Sequence, residues 1–343
     1  MSTTVEPIGN EDRKQFTGWM KLAFVRLGVL PFLLLIAVVI FALMSGNFLT
    51  VNNLLNVARQ STYLTMVAMG QMLALLTGGF DLSVGTILAV TSVVGALAMS
   101  STFAAYPDLV WLAILVGCLA GFGAGLAIGV VNGTGVALFN VSPFMMTLGL
   151  ASIGFGIALY LTGGVPVYGI PDQFGAVFGF GRLFGIPAPV YITALFVAVM
   201  YVVLNWTRFG RYLYAVGGNL KASRLSGINT RTTLFLAYVL CAALTSIAGL
   251  MLTARLETGE ANIGASMPLE TIAACVIGGV SLRGGVGRLS NVVLGAIFIG
   301  LVQNGMNLAR IDSYLQTVVI GALLILAVVA DQFRLKLIAE LRD

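Results

Sequence analysis

Between residues 27 and 330, apolar runs close to the ~20 residues that span a bilayer follow one another with few charges inside them. In lipid each segment has to satisfy its own backbone hydrogen bonds, so such runs form helices. The runs set the class: an all-α integral membrane protein with about ten transmembrane helices. Composition agrees, since 59% of the 343 residues are apolar and 9% charged, well outside the soluble globular range. Each span with its connection uses about 30 residues, which leaves room for roughly eight to eleven helices and no sizeable soluble domain. Any nucleotide hydrolysis therefore belongs to another chain, and no catalytic residue is expected here.

The few charges are placed unevenly. Residues 207–231 hold Arg208, Arg211, Lys221, Arg224 and Arg231, five of the chain's 18 basic residues, between long apolar runs. Basic residues accumulate in loops that stay on the cytoplasmic side. A layout of ten spans puts the 1–26 segment, the 207–231 loop, the 283–288 turn and the 331–343 tail inside. Fourteen of the 18 basic residues fall there, leaving Arg59, Arg182, Arg255 and Arg310 outside. The domain plan is then a cytoplasmic N-terminal segment (1–26), a transmembrane domain (27–330) interrupted by the 207–231 loop, and a cytoplasmic tail (331–343). The net charge of +5 marks topology and carries no nucleic-acid reading.

In order, the expected spans are 27–44, 63–76, 84–99, 111–131, 144–161, 190–206, 233–253, 269–282, 289–308 and 314–330. The polar 47–60 segment, the proline-bearing 163–189 connection and the polar 255–267 stretch are placed outside. Gly117, Gly121, Gly125, Gly129 and Gly133 recur every four residues. Small residues let helix backbones approach in lipid, so this stripe reads as a packing face. Cys118, Cys241 and Cys275 lie in apolar runs without metal spacing and read as packing residues. The chain has no histidine, which removes the commonest proton relay and metal ligand. Nor does any glycine run carry the lysine and hydroxyl pair of a phosphate-cradling loop. Within the basic loop, Gly217, Gly218 and Asn219 read as a turn, and residues 220–226 as a short exposed helix stopped by Gly227.

Four stretches resemble the permease family of bacterial monosaccharide ABC importers. They are Gly78-Gly79-Phe80-Asp81-Leu82-Ser83-Val84-Gly85; Asn132-Gly133 with Pro143-Phe144 and Thr147-Leu148-Gly149; Gly217-Gly218-Asn219 with Leu225-Ser226-Gly227-Ile228; and Gly278-Gly279 with Ser281-Leu282 and Gly284-Gly285. Their order and spacing match across about residues 45 to 332. The resemblance implies a type II importer fold in the bacterial inner membrane, in which the charge layout puts both termini on the cytoplasmic side. It also implies a second permease copy or homologue, two cytoplasmic ATPase domains that bind ATP and magnesium in place of this chain, and a periplasmic sugar-binding protein. By the same resemblance Gly217, Gly218, Asn219, Ala222, Arg224, Leu225, Ser226 and Gly227 form the element that couples to the ATPase. The chain departs from the family at Leu220-Lys221, where an acidic residue often follows the Gly-Gly-Asn, so the charge pairing of the docking differs.

Sugars offer hydroxyls and no charge. Phe144 and Thr147, Gln303, Asn304 and Asn307, and Tyr314 and Gln316 are accordingly the residues a neutral polar path would use, although buried amides also serve simply to join helices. Asp81 has two readings, a gate or a cap on the helix that follows it. Glu270 is likewise either a gate or a carboxylate favoured by the start of its helix. A branched-chain amino-acid permease and a stand-alone secondary transporter remain the alternatives.

Overall fold

A computed structural model describes residues 30–340. The expected cytoplasmic segment 1–26 lies outside the described residues. Ten helices make the bundle: α1 (Leu30–Met44), α2 (Val51–Leu76), α3 (Val84–Ala105), α4 (Val110–Ala137), α5 (Pro143–Thr162), α6 (Ala188–Trp206), α9 (Thr230–Leu256), α10 (Met267–Ile277), α11 (Leu289–Leu308) and α12 (Ser313–Glu340). Two short helices, α7 (Arg208–Gly218) and α8 (Leu220–Leu225), form a corner between α6 and α9. Helices α3, α4, α5, α6, α9 and α11 are each long and apolar enough to cross a membrane. About ten transmembrane helices were expected; among the described residues ten helices form the bundle, six of them long and apolar enough to cross a membrane.

The bundle is built around α2, which packs against α6, α9, α10 and α11. Every residue from Ser61 to Leu76 is buried. The polar segment before residue 61 was expected to be a separate outer piece; instead it is the first half of this helix. No proline or glycine interrupts residues 51–69, Thr50 caps the start by accepting from the Asn53 N–H at 3.4 Å, and the polar side chains find partners in the bundle. Asn53 and Asn304 exchange two amide hydrogen bonds, at 2.9 and 3.0 Å, in a buried site.

The glycine stripe of α4 is the contact face for α3 and α9. Gly117 and Gly121 lie against Gly95, Gly125 between Thr91 and Ser246, and Gly129 on Ala242. Side chains at these positions would separate the three helices, whose association in lipid rests on close van der Waals packing.

Residues 257–266 also depart from the expected layout. Rather than staying outside, they run down the side of α3: Val167 pairs with Gly259, the Glu260 N–H donates to Ser92 Oγ at 3.1 Å, and the Gly264 backbone rests on that of Gly85 in the first turn of α3. Irregular backbone at this depth is tolerable where protein covers it, and α3, Val167 and Ser92 provide that cover. The segment delivers the chain to the short α10. The 163–189 connection carries a two-residue hairpin, β1 (Arg182–Leu183) paired with β2 (Ile186–Pro187). Helix α12 continues through residue 340 rather than ending at 330.

Candidate functional site: a corner helix seated on glycines

Three asparagine or threonine caps shape the basic segment. Thr207 Oγ1 accepts from the Gly210 N–H at 3.2 Å and starts α7. Asn219 Oδ1 accepts from the Ala222 N–H at 2.9 Å and starts α8. Asn229 Oδ1 accepts from the Thr232 N–H at 3.1 Å and starts α9. Each cap satisfies a backbone donor that a helix start leaves free. Gly217 and Gly218, read from sequence as part of a turn, are instead the last residues of α7; the extended residue between the two helices is Asn219. Helix α8 closes with the Gly227 N–H on the Arg224 carbonyl at 3.1 Å and the Ile228 N–H on the Ser223 carbonyl at 3.1 Å.

The corner therefore has an inner and an outer face. Leu213, Val216 and Ser223 are buried, while Leu220, Lys221, Ala222, Arg224, Leu225, Ser226 and Gly227 are exposed. Leu225 is 90% exposed. An apolar knob among cations on a small fixed helix is a shape suited to a cleft in a soluble partner.

The inner face is fixed by backbone contacts among three chain segments. Gly217 lies so close to the end of α2 that a Cβ there would fall on the Leu76 carbonyl oxygen. That same oxygen accepts the Gly285 N–H at 2.9 Å. Gly284 and Gly285 have φ of 88° and 72°, values that glycine adopts without strain, and they place their backbone against Gly78, Gly217 and Gly218. The Tyr214 hydroxyl donates to the Gly287 carbonyl at 3.0 Å. Burial raises the Tyr214 pKa above its ordinary value near 10, against the opposing effect of Arg288, so the donor proton is retained at neutral pH. The α7–α8 corner, the end of α2 and the turn between α10 and α11 thus form one junction.

Directly beyond that junction lies the break between α2 and α3. Asp81 Oδ1 accepts from the Ser83 N–H at 2.9 Å and from its hydroxyl at 2.6 Å. Asn132 Nδ2 donates to Ser83 Oγ at 2.7 Å. With its amide oriented to satisfy both partners, Gln71 donates to the Asp81 carbonyl at 2.9 Å and accepts from the Asp81 N–H at 3.3 Å. Gln71, Asp81, Ser83 and Asn132 are all fully buried. The carboxylate bonds within its own turn through Oδ1, its Oδ2 is buried without a partner, and Ser83 at the N-cap makes no side-chain bond to the helix. Glu270 is buried in the first turn of α10.

The seven residues suggested for a path do not converge. Phe144 is exposed on α5, whereas Thr147, on the same helix, is fully buried and donates to the Pro143 carbonyl at 2.8 Å. Asn304 is committed to Asn53, and Gln303 is half-buried. At the far end, Gln316 donates to Asn307 at 2.8 Å, and Tyr314 is 85% exposed. None of the seven lines the cleft of about 300 Å³ between the start of α3, α5 and the 257–266 segment, whose walls include Leu82, Thr86, Ser152, Phe155, Ala261 and Pro268. Sequence reasoning missed this cleft because residues 257–266 look like an outer loop. Tyr214 was missed as well, although its three-residue spacing from Arg211 and Gly217 on an amphipathic helix places it on a definable face.

A ten-helix bundle with a basic corner, six of its helices long and apolar enough to cross a membrane, defines the class: a multi-pass membrane protein. The chain belongs to the family described as "Branched-chain amino acid transport system / permease component", which it matches over residues 53–328. It is 39% identical over 302 residues to the ribose import permease protein RbsC of Escherichia coli K12, covering 87% of this chain and 91% of that relative. The Bacillus subtilis ribose import permease protein is 38% identical over 305 residues, covering 88% and 92%. The L-arabinose transport system permease protein AraH of Escherichia coli K12 is 34% identical over 295 residues, covering 86% and 87%. No solved structure matches the chain.

Proposed function

We propose that this chain is the membrane-spanning subunit of an ATP-binding cassette importer in the bacterial inner membrane, carrying a monosaccharide or related polyol by alternating access. The observation that carries this reading is the α7–α8 corner: an exposed apolar and basic knob whose inner face is tied, backbone to backbone, to the end of α2 and the α10–α11 turn. Basic residues concentrate at this end, which supports placing it and both termini in the cytoplasm. Two cytoplasmic ATPase domains, with their ATP and magnesium, would take the knob. A second permease copy would complete the membrane unit, and a periplasmic binding protein would deliver the sugar.

Motion of the ATPase acts on α8. Because Gly217 leaves no gap at Leu76, displacement of the corner moves the end of α2 and the turn at residues 284–287 with it. The break held by Gln71, Asp81, Ser83 and Asn132 is then the next element to shift, and it borders the cleft at Leu82 and Thr86. Gly217, Gly218, Asn219, Ala222, Arg224, Leu225, Ser226 and Gly227 are assigned to coupling, and Asp81 and Glu270 to holding the two breaks.

The family description names branched-chain amino acids, and the cleft bears on the choice. Its lining carries no charged side chain, so a zwitterion would have to be held by helix ends and carbonyls alone, whereas a neutral polyol needs no charged partner. The similarity to ribose and L-arabinose permeases supports the same choice. Reconstitution with the partner ATPase and binding protein tests the reading: ATP-dependent uptake of a labelled pentose or hexose is expected, and uptake of leucine in place of any sugar would reject it.

A further inference from the structure

At the end of the bundle opposite the α7–α8 corner, three arginines from three elements meet. Arg59 lies on α2, Arg182 on β1 and Arg255 in the last turn of α9. The charged groups that act on Arg59 are Arg255 and Arg182, both cations, together with the Tyr63 phenol; no carboxylate is among them. Their meeting is built into the fold. Gly179 rests its backbone on Ala254 and Arg255, which carries Phe180 and Arg182 over the end of α9, and Arg59 and Tyr63 are one turn apart on α2.

The donors of this cluster are incompletely used. Arg59 donates through one terminal nitrogen to Asn56 Oδ1 at 2.8 Å, and its guanidinium faces the Phe180 ring at 5.8 Å. Arg59 Nε is buried without a hydrogen-bond partner, and the Tyr63 hydroxyl, which faces the Arg255 guanidinium and can accept one of its N–H groups, leaves its own proton without an acceptor. Buried donors without acceptors are costly, and arginine cannot relieve the repulsion by releasing its proton. What the cluster lacks is an acceptor of negative charge.

We propose that Arg59, Arg255 and Tyr63 form a binding site for an oxyanion, a carboxylate or phosphate whose oxygens take the unused donors in the forked geometry that guanidinium favours. Arg182 closes the site from its exposed hairpin, and the Phe180 ring forms one wall. The same chemistry has two sources at a membrane surface: the phosphate of an anionic phospholipid, or a small free oxyanion.

Thermal unfolding of the full chain in nanodiscs tests the site. One arm uses phosphatidylcholine discs with and without inorganic phosphate or gluconate; the other replaces part of the lipid with phosphatidylglycerol. At least one source is expected to raise the unfolding temperature by about 2–4 °C when well above its Kd. A response confined to phosphatidylglycerol assigns the lipid headgroup, and a response to the soluble anions assigns a free ligand. R59Q and R255Q are expected to lose the response, and R59K to keep a reduced one. In neutral lipid without anion, R59Q is expected to unfold at or above the wild-type temperature because it removes repulsion, a sign that a packing role would not give. No wild-type shift from either source, or an equal loss of stability in R59Q with and without anion, overturns the site.

Discussion

Replacing Gly217 by alanine should uncouple the corner from the bundle while leaving the bundle inserted. The new Cβ would fall on the Leu76 carbonyl oxygen, an atom that cannot yield because it ends α2 and accepts the Gly285 N–H. Relief requires α7 to lift away. Overpacking of this kind costs about 1–3 kcal/mol, and losing the Tyr214 hydrogen bond to the Gly287 carbonyl adds roughly 1 kcal/mol. A shift of ~3 kcal/mol lowers the engaged fraction of the corner by about two orders of magnitude. Gly218→Ala is the matched control, because Gly218 takes part in the junction through its backbone against Gly285, which alanine keeps. Its Cβ would meet nothing within 4 Å, and alanine in place of glycine at a helix end is neutral or slightly favourable. With the assembled transporter in lipid, sugar-loaded binding protein should stimulate ATP hydrolysis in G218A and fail to do so in G217A, with equal amounts of ATPase subunit present. Equal stimulation in the two variants would refute the reasoning.

Removing the Tyr214 hydroxyl with Tyr214→Phe deletes its bond to the Gly287 carbonyl and should weaken coupling by roughly 1 kcal/mol, read as a reduced ratio of stimulated to basal hydrolysis. Because the folded pKa is raised above about 10, the stability this phenol contributes is fully present below pH ~10 and lost as pH rises through the folded value; a ratio that instead fell between pH 6 and 8 would point to another group. Asn53→Leu should lower the unfolding temperature by leaving both Asn304 and the Phe48 carbonyl unpaired in a buried site, at ~1–2 kcal/mol each, and the double change with Asn304→Leu should recover the part due to Asn304; additive losses would exclude the pairing. In a background without the native cysteines, Ser226→Cys should label only from the cytoplasm and Phe184→Cys, at a hairpin tip 92% exposed, only from outside. Labelling of both from one side would break the topology.

Much of this was legible from local chemistry. Long apolar runs can only be helices in lipid, the α4 glycines can only bring helices together, and Asn219 and Gly227 bound a short helix by their capping preferences. What escaped were features set by tertiary contact. Residues 257–266 have an outer loop's polarity, but Ser92 and the Gly85 backbone supply partners at depth. The first half of α2 is polar because Asn304 awaits it 251 residues later. The adjacent Gly217 and Gly218 look interchangeable in sequence, yet only the first is pressed against another backbone. Ser223 likewise reads as part of an exposed helix and is 5% exposed, because the corner turns that side inward.

The central claim is that the α8 knob seats a cytoplasmic ATPase. Cross-linking from position 225 tests it most directly: a cysteine replacing Leu225 in the assembled transporter should form a cross-link to the ATPase subunit with a short bismaleimide, and the yield should change between nucleotide-free and ATP-bound states. A cysteine at Phe184 should give none. Failure of position 225 to reach the ATPase, while the subunits co-purify and transport, would contradict the account.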